Sequence, residues 1–321
     1  MFDTCAVSLA TTKDSATTRS WRGLVLVCLA GLVWGTIGPA VQLIHTGSSL
    51  SPPTICAYRA IAAVGALTAA VLTTGRLSGC LSMARRHWRR LTVLGTLTAT
   101  FQLLFFVAVF AAGVSLTTVV SLGFAPVLLL GVTSTRRRRL PSFGQVFTVV
   151  SAVVGLLLLC VPGGAVDEVP NAALGILAAL GSGAAYAMSA DVATPLSQRH
   201  DALTVTTVTI SVAAGVLVPT GLVLARFRGE AMGTADTRSW LLVVYLGVVT
   251  MGVAYVLLFA GLRTIPSGAA VVGTLLEPVT AVLIAIWFLG ERLTLAGAAG
   301  SLLILAAIGS LGRQPSELPP Q

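Results

Sequence analysis

The stretch 115–127, SLTTVVSLGFAPV, has a counterpart in 267–279, SGAAVVGTLLEPV. The two stretches share a serine, a Val-Val pair and a Pro-Val pair without a gap, and both lie in apolar segments long enough to cross a bilayer. Such a repeat is typical of membrane proteins made by duplicating one half, and in transporters the substrate path runs between the halves. Only the second copy carries an acid, Glu277, where the first has Ala125.

The composition indicates a membrane protein. Hydrophobic residues make up 55% of the chain and charged residues 10%, whereas soluble domains carry about 25% charged residues. A helix needs about 20 apolar residues to cross a hydrocarbon core of about 30 Å. We therefore predict an all-α integral membrane protein with ten transmembrane helices, near 23–44, 53–75, 91–112, 114–134, 143–162, 171–190, 203–225, 239–262, 267–289 and 293–312.

The ten spans divide into two halves of five, 23–165 and 171–312. Because five is odd, the two halves enter the membrane in opposite orientations and form an inverted repeat. Residues 1–22, which are Ser/Thr-rich and lack the basic start of a signal peptide, are predicted to be a disordered cytoplasmic tail. Residues 313–321 are predicted to be a short cytoplasmic tail.

The net charge of +9 does not indicate a nucleic-acid partner, because the basic residues are concentrated in the loops between the predicted spans. With a cytoplasmic N-terminus, the inside loops hold 15 of the 20 Lys and Arg residues, among them the run Arg136–Arg139. This bias orients helices during insertion and places both termini in the cytoplasm. The basic runs also favour contact with anionic membrane lipids.

Several motifs resemble one transporter family. The run 277–281, EPVTA, continues through 289–294, LGERLT, and Trp34-Gly35, Pro53 with Arg59, and Pro126 precede it. This pattern resembles the EamA family of the drug/metabolite transporter (DMT) superfamily. The resemblance implies a ten-helix inverted-repeat fold that exports amino acids, amines or other small metabolites and drugs.

Glu277 is the first candidate for a substrate-binding residue. It lies ten residues beyond Ser267 and therefore about 15 Å into its span, near the bilayer midplane. An ionised acid at this depth costs at least about 2.5 kcal/mol. Glu277 should therefore face a water-filled cavity, find a partner or be protonated. It could hold a substrate ammonium group, carry a coupling proton, or form a structural hydrogen bond.

Other polar and aromatic residues lie at similar depth. We expect Gln102, Trp34, Tyr186 and Tyr255 to form a substrate-binding pocket for amphipathic or cationic solutes, although each ring could instead serve packing alone. Arg59, about 9 Å inside the second span, is a further candidate for the pathway or a side chain that snorkels to the headgroups.

Two prolines are predicted helix breaks. Pro126 and Pro278 each lie in mid-span and deprive the carbonyl four residues earlier, at Leu122 and Thr274, of its helical partner. Freed carbonyls at membrane depth line a cavity or bond to neighbours. The expected result is two bends near the central site, either for movement or for packing.

The sequence predicts a secondary transporter of the cytoplasmic (inner) membrane of a prokaryote, with efflux of a small solute by alternating access. No ATP-binding GxxxxGK[ST] loop, cofactor site or metal site is expected, and the five Cys show no paired spacing. A proton gradient is the expected drive. The alternatives are an integral membrane enzyme acting on lipid-like substrates, and a channel. Small residues such as Gly31, Gly35, Gly297 and Gly300 favour close helix packing and would also allow a homodimer.

Overall fold

The computed structural model describes residues 20–160, 171–289 and 294–311. Most of the predicted tail 1–22, all of the tail 313–321 and the Glu291-Arg292 pair lie outside these residues. The described chain forms ten helical segments, which we number in chain order: α1 Ser20–Gly47, α2 Pro52–Thr73, α3 Leu77–Ala112, α4 Val114–Arg137, α5 Phe143–Cys160, α6 Ala172–Arg199, α7 Ala202–Phe227, α8 Thr237–Gly261, α9 in two pieces, Ser267–Gly273 and Leu276–Leu289, and α10 Leu295–Leu311.

The helices have the length and surface of a membrane protein. Within the described residues, nine helices have 18 or more residues and an apolar composition that suits a bilayer, and the apolar α10 has 17 residues. Large apolar side chains such as Phe110 and Trp287 are 75% and 83% exposed on the outside. The buried positions are instead rich in Ala. The chain is therefore a multi-pass membrane protein whose outer surface suits lipid.

Two helices extend well beyond the predicted membrane spans. Helix α3 begins at Leu77 rather than near 91, with a kink at His87, and α6 continues to Arg199 rather than ending near 190. The segment 80–90 contains no Pro or Gly, so nothing in it ends the helix. Arg85, Arg86, Arg89 and Arg90, which are among the basic residues assigned to the inside loops, are therefore helical and extend α3 past the apolar stretch.

Helices α1 and α9 are both interrupted in mid-span. Helix α1 is broken by a turn at residues 35–36, and α9 is broken at 274–275. Each break lies four residues before a proline, Pro39 in α1 and Pro278 in α9, because a proline nitrogen cannot donate to the carbonyl four residues earlier. In α9 the Thr274 carbonyl instead accepts from the Glu277 N–H at 3.0 Å.

At Pro126, the other predicted helix break, the helix is not interrupted. Helix α4 is continuous from Val114 to Arg137 with Pro126 inside it. A proline can remove one backbone hydrogen bond from a helix without ending it, provided that the rest of the ladder stays intact. Helix α8 contains a feature that we did not predict, a π-helical segment at Leu246–Val253.

The most extensive helix contacts join the first half of the chain to the second. They are α3 with α6, α2 with α7, α5 with α10, α3 with α7, and α4 with α6. Glycines allow the closest of these approaches: a Cβ atom at Gly155 in α5 would lie 2.8 Å from the Gly300 carbonyl oxygen in α10. The two halves thus share one core.

Contacts at each end of the bundle also join the halves. At one end Arg76 forms an ion pair with Asp201, and Arg136 pairs with Asp191, each at 2.6 Å. At the other end Leu50 forms a parallel bridge with Ala231. The Arg76 contact fixes the α2–α3 connection against the α6–α7 connection, and the Leu50 contact fixes the α1–α2 connection against the α7–α8 connection.

Candidate functional site

A cavity of about 180 Å³ lies between the two halves. Helices α1, α2 and α3 supply most of its wall, and α4, α6, α8 and α9 supply the rest. Its polar lining consists of one acid, one arginine and a few hydroxyl, amide and indole groups, and the remainder is apolar or aromatic. A mostly apolar cavity with a few converging polar groups has the general form of a small-molecule site.

Glu277 contributes the acid of the cavity. It lies in the first turn of the second piece of α9, immediately after the break at Thr274. No described residue forms a hydrogen bond or an ion pair with its carboxylate. An acid without a direct protein partner in a mostly apolar wall is costly to keep charged at membrane depth.

Arg59 contributes the positive charge. Its Nη2 atom donates a hydrogen bond to Gln102 Oε1, which joins α2 to α3. Gln102 is only 6% exposed, so this bond lies deep in the bundle. The Arg59 Nε and the Gln102 Nε2 are buried and have no hydrogen-bond partner among the described residues. Arg59 thus faces the cavity and does not snorkel to the headgroups.

Three aromatic side chains close one side of the cavity. The Trp34 ring packs edge-on against Tyr255 and Tyr186, with centroid distances of 5.3 and 6.5 Å. The Trp34 Nε1 donates to the carbonyl of Thr250 in the π-helical segment at 2.8 Å, which supplies a partner for that carbonyl. The Trp34 ring is therefore held in place by α8.

The Tyr186 hydroxyl is bonded at the break in α9. It lies 2.7 Å from Thr274 Oγ1, and the Thr274 hydroxyl in turn donates to the Val271 carbonyl at 2.8 Å. Because Thr274 has a single hydroxyl proton, Tyr186 is the donor of the first bond. Tyr186 thus fixes the broken part of α9 against α6, next to the Glu277 turn.

Two glycines of α1 bring the broken helices together. A Cβ atom at Gly31 would lie 3.1 Å from the Thr274 carbonyl oxygen, and one at Gly35 would lie 2.7 Å from the Glu277 carbonyl oxygen. The small face that we predicted on α1 therefore contacts α9 at its break. This close approach places Trp34 of α1 and Glu277 of α9 in the same wall.

The structure brings all six predicted binding and pathway residues to this cavity: Glu277, Gln102, Trp34, Tyr186, Tyr255 and Arg59. The two prolines do not line it, although Leu122, four residues before Pro126, does. Thr250 and Met251 of the π-helical segment also line it, and they were not predicted. No motif in the sequence marks a π-helix, so only the structure identifies these two residues.

The cavity extends toward one end of the bundle. Its lining includes Pro52 at the start of α2 and Val41 in the second part of α1, whereas the Arg76–Asp201 pair lies beyond the other end of α2. Helix α2 has 22 residues, so about 32 Å separates its two ends. The cavity therefore lies on the side away from the two ion pairs.

Comparisons with known proteins agree with this architecture. Residues 173–312 match the model of the EamA-like transporter family. The second half of the chain is therefore similar to the EamA-like transporter family. The whole protein is accordingly a multi-pass membrane transporter.

Two relatives of this chain are named as transporters. The uncharacterized transporter YwfM of Bacillus subtilis is 26% identical over 291 residues, which cover 91% of this chain and 94% of that protein. An uncharacterized transporter of Archaeoglobus fulgidus is 27% identical over 156 residues, which cover 49% of this chain and 52% of that protein. One solved structure superimposes with a TM-score of 0.73 at 17% identity and covers 93% of this chain, which shows a shared fold.

Proposed function

We propose that this transporter moves a small organic solute with a cationic group by alternating access, and that Glu277 binds that group. The observation that carries the proposal is the Glu277 carboxylate, which lines a central cavity and has no hydrogen-bond or ion-pair partner among the described residues. A cation bound there would offset the cost of keeping the acid charged in an apolar wall. Trp34 and Tyr255 add ring faces and edges that attract a cation.

The packing of the two halves supports alternating access. The contact of α3 with α7 has a counterpart in α2 with α8, in which the first and second halves exchange roles. The α4–α6 contact has a counterpart in the approach of α1 to α9 at Gly31 and Gly35. This exchange supports the inverted repeat, in which rocking of one half against the other opens the central cavity to either side.

The direction of transport and its energy source are part of the same proposal. The transporter exports its solute across the cytoplasmic membrane of a prokaryote, and a proton on Glu277 exchanges for the solute. Protonation would remove the charge that holds a cation, so proton entry and solute release would be linked at one group. Solute flux that persists unchanged when the proton gradient is collapsed would contradict this coupling.

A binding screen on the purified protein in detergent tests the site. The thermal midpoint is measured with amines, polyamines, aromatic cations and carboxylates, because a solute that binds the folded state raises it. We expect an amine-bearing solute to raise the midpoint of the wild type and to lose this effect in Glu277→Gln. Glu230→Gln is the matched control, since Glu230 lies in the loop after α7 beside Arg228. Equal midpoint shifts in the wild type and Glu277→Gln would contradict the proposal.

A further inference from the structure

The cavity contains two hydrogen-bond donors that have no acceptor. These are the Arg59 Nε and the Gln102 Nε2, both buried and both without a partner among the described residues. Buried donors are nearly always bonded in folded proteins, so a pair of them in one cavity wall needs an explanation. Both belong to residues that line the cavity, where a bound molecule can supply the acceptor.

The Arg59–Gln102 bond determines which way the glutamine amide faces. Arginine offers only donors, so the atom of Gln102 that it contacts must be the carbonyl Oε1. The Nε2 donor of the same amide is then the group left without a protein partner. The two side chains together therefore present N–H groups only, which matches an oxyanion.

The backbone around Arg59 holds this pair in position. Gly247, at the start of the π-helical segment, lies against the Arg59 carbonyl oxygen so closely that a Cβ atom would overlap it. Phe101 and Phe105 flank Gln102 on α3 and also line the cavity. The guanidinium thus extends from a fixed point on α2 toward an amide set among aromatic rings.

The two charges of the cavity do not neutralise each other directly. Arg59 and Glu277 both line the cavity, but no Arg59 nitrogen lies within 4.0 Å of a Glu277 carboxylate oxygen. A cavity that contains a separated cation and anion is matched by a solute with both charges. Each half of such a solute would take the place of water on one protein charge.

We propose that Arg59 and Gln102 form an oxyanion subsite that binds the carboxylate of the transported solute, opposite the cationic group held by Glu277. The arginine fork suits a planar carboxylate, which can accept from Nε and from a second guanidinium nitrogen, while Gln102 Nε2 donates to it as well. The preferred solute is then a zwitterion with an apolar body that fits a cavity of about 180 Å³. This inference rests on the proposed function, since it places the solute in the same cavity.

Three probes with the same phenyl body test the subsite: L-phenylalanine, phenethylamine and 3-phenylpropionate. Binding of each to the purified full-length protein is measured by calorimetry. We expect the zwitterion to bind at least about tenfold more tightly than either singly charged probe. Phenethylamine that binds as tightly as L-phenylalanine would overturn the subsite and leave the cation site of the proposed function intact.

Two variants assign the carboxylate to the subsite. Gln102→Leu keeps the side-chain volume and removes the donor, and Arg59→Lys keeps the charge and removes the planar fork. We expect each to weaken L-phenylalanine and 3-phenylpropionate at least about tenfold and to leave phenethylamine unchanged. Equal weakening of all three probes would show a structural role only and would overturn the inference.

Glu277→Gln separates the two proposals. We expect it to weaken phenethylamine and L-phenylalanine and to leave 3-phenylpropionate unchanged. If phenethylamine binding is indifferent to Glu277→Gln while 3-phenylpropionate still depends on Arg59, the cation site fails and the oxyanion subsite stands. Failure of all three probes to bind the wild type would overturn both.

Discussion

At the scale of single residues, the site depends on two glycines as much as on the polar side chains that line the cavity. Gly31 and Gly35 have no side chain to hold α1 away from the broken part of α9, and the Glu277 turn packs directly on their backbone. The acid is therefore positioned by backbone contact rather than by a hydrogen-bond partner. Glycines at such positions are sensitive to the smallest addition.

We predict that Gly35→Ala lowers the thermal midpoint in detergent, by a loss of stability of about 1–3 kcal/mol. The added methyl group would lie 2.7 Å from the Glu277 carbonyl oxygen and 2.5 Å from the Thr280 Cβ, so the backbone must move. Gly38→Ala, in the same helix, is the matched control because its Cβ meets nothing within 4 Å. Its midpoint should stay unchanged or rise, as alanine favours helix over glycine. Equal effects of the two substitutions would refute the packing argument.

A second prediction concerns the indole of Trp34. Trp34→Phe removes the Nε1–H donor to the Thr250 carbonyl and keeps an aromatic ring against Tyr255. We expect a loss of about 0.5–1.5 kcal/mol, since the substitution removes a buried hydrogen bond. Trp287→Phe is the control, because that ring is 83% exposed on the outer surface. The comparison is made by thermal unfolding, and a Trp34→Phe midpoint equal to that of the control would show that the Thr250 carbonyl has another partner.

At the scale of the helices, the interruptions in α1 and α9 are the decisive features. The sequence predicted the second of them, because Pro278 lies in mid-span and deprives Thr274 of its usual donor. It did not predict the first, because Pro39, which stands in the same relation to Gly35, lies outside the duplicated stretch. Pro126 shows the limit of the rule, since α4 continues through it. A proline marks where a helix is weakened, and its neighbours decide whether the helix breaks.

The start of α8 provides a pH-dependent prediction. Asp236 caps this helix by accepting hydrogen bonds from the Ser239 N–H at 2.8 Å, the Ser239 hydroxyl and the Arg238 N–H. The hydrogen bonds from the Ser239 hydroxyl and backbone lower the pKa of Asp236. The charged form is thus favoured in the folded state, so its contribution is present above the ordinary aspartate pKa of about 3.9 and is lost as the pH falls through the lower, folded value.

We therefore expect the thermal midpoint of the wild type to fall more between about pH 6 and about pH 3 than that of Asp236→Asn. The asparagine keeps an acceptor for the helix N–H groups and cannot titrate. Comparing the two proteins over the same range removes the contribution of the other acids. The same pH slope in both would contradict the assignment of the shift to this cap.

At the scale of the whole molecule, apolar run lengths were enough to predict the number and order of the helices, because the bilayer sets the length of each span. They were not enough to predict the partners. Arg59 and Gln102 are 43 residues apart and belong to different helices, and the π-helical segment of α8 that supplies Thr250 has no sequence signature. The depth of a residue in the membrane can be predicted from its position within one span. The contacts across a cavity depend instead on how the helices pack together.

The orientation of the chain in the membrane is a prediction of the charge distribution. We expect a reporter that is active only in the cytoplasm to be active when fused to either terminus, and alkaline phosphatase, which is active only outside, to be inactive there. The loop between α7 and α8 should give the opposite result. An active phosphatase at the C-terminus would reverse the predicted topology of the second half.

The strong pairing of helices across the two halves also bears on how the protein is made. When ribosomes have completed α1 to α5, the surfaces of α2, α3 and α5 that pack on α7, α6 and α10 still face lipid. Insertion can proceed helix by helix, but the core can form only after the second half arrives. Two separately expressed chains, 1–165 and 166–321, should each be protease-sensitive alone and should co-purify as one resistant complex when made together. A first half that resists protease by itself would show that folding begins before synthesis of its partner.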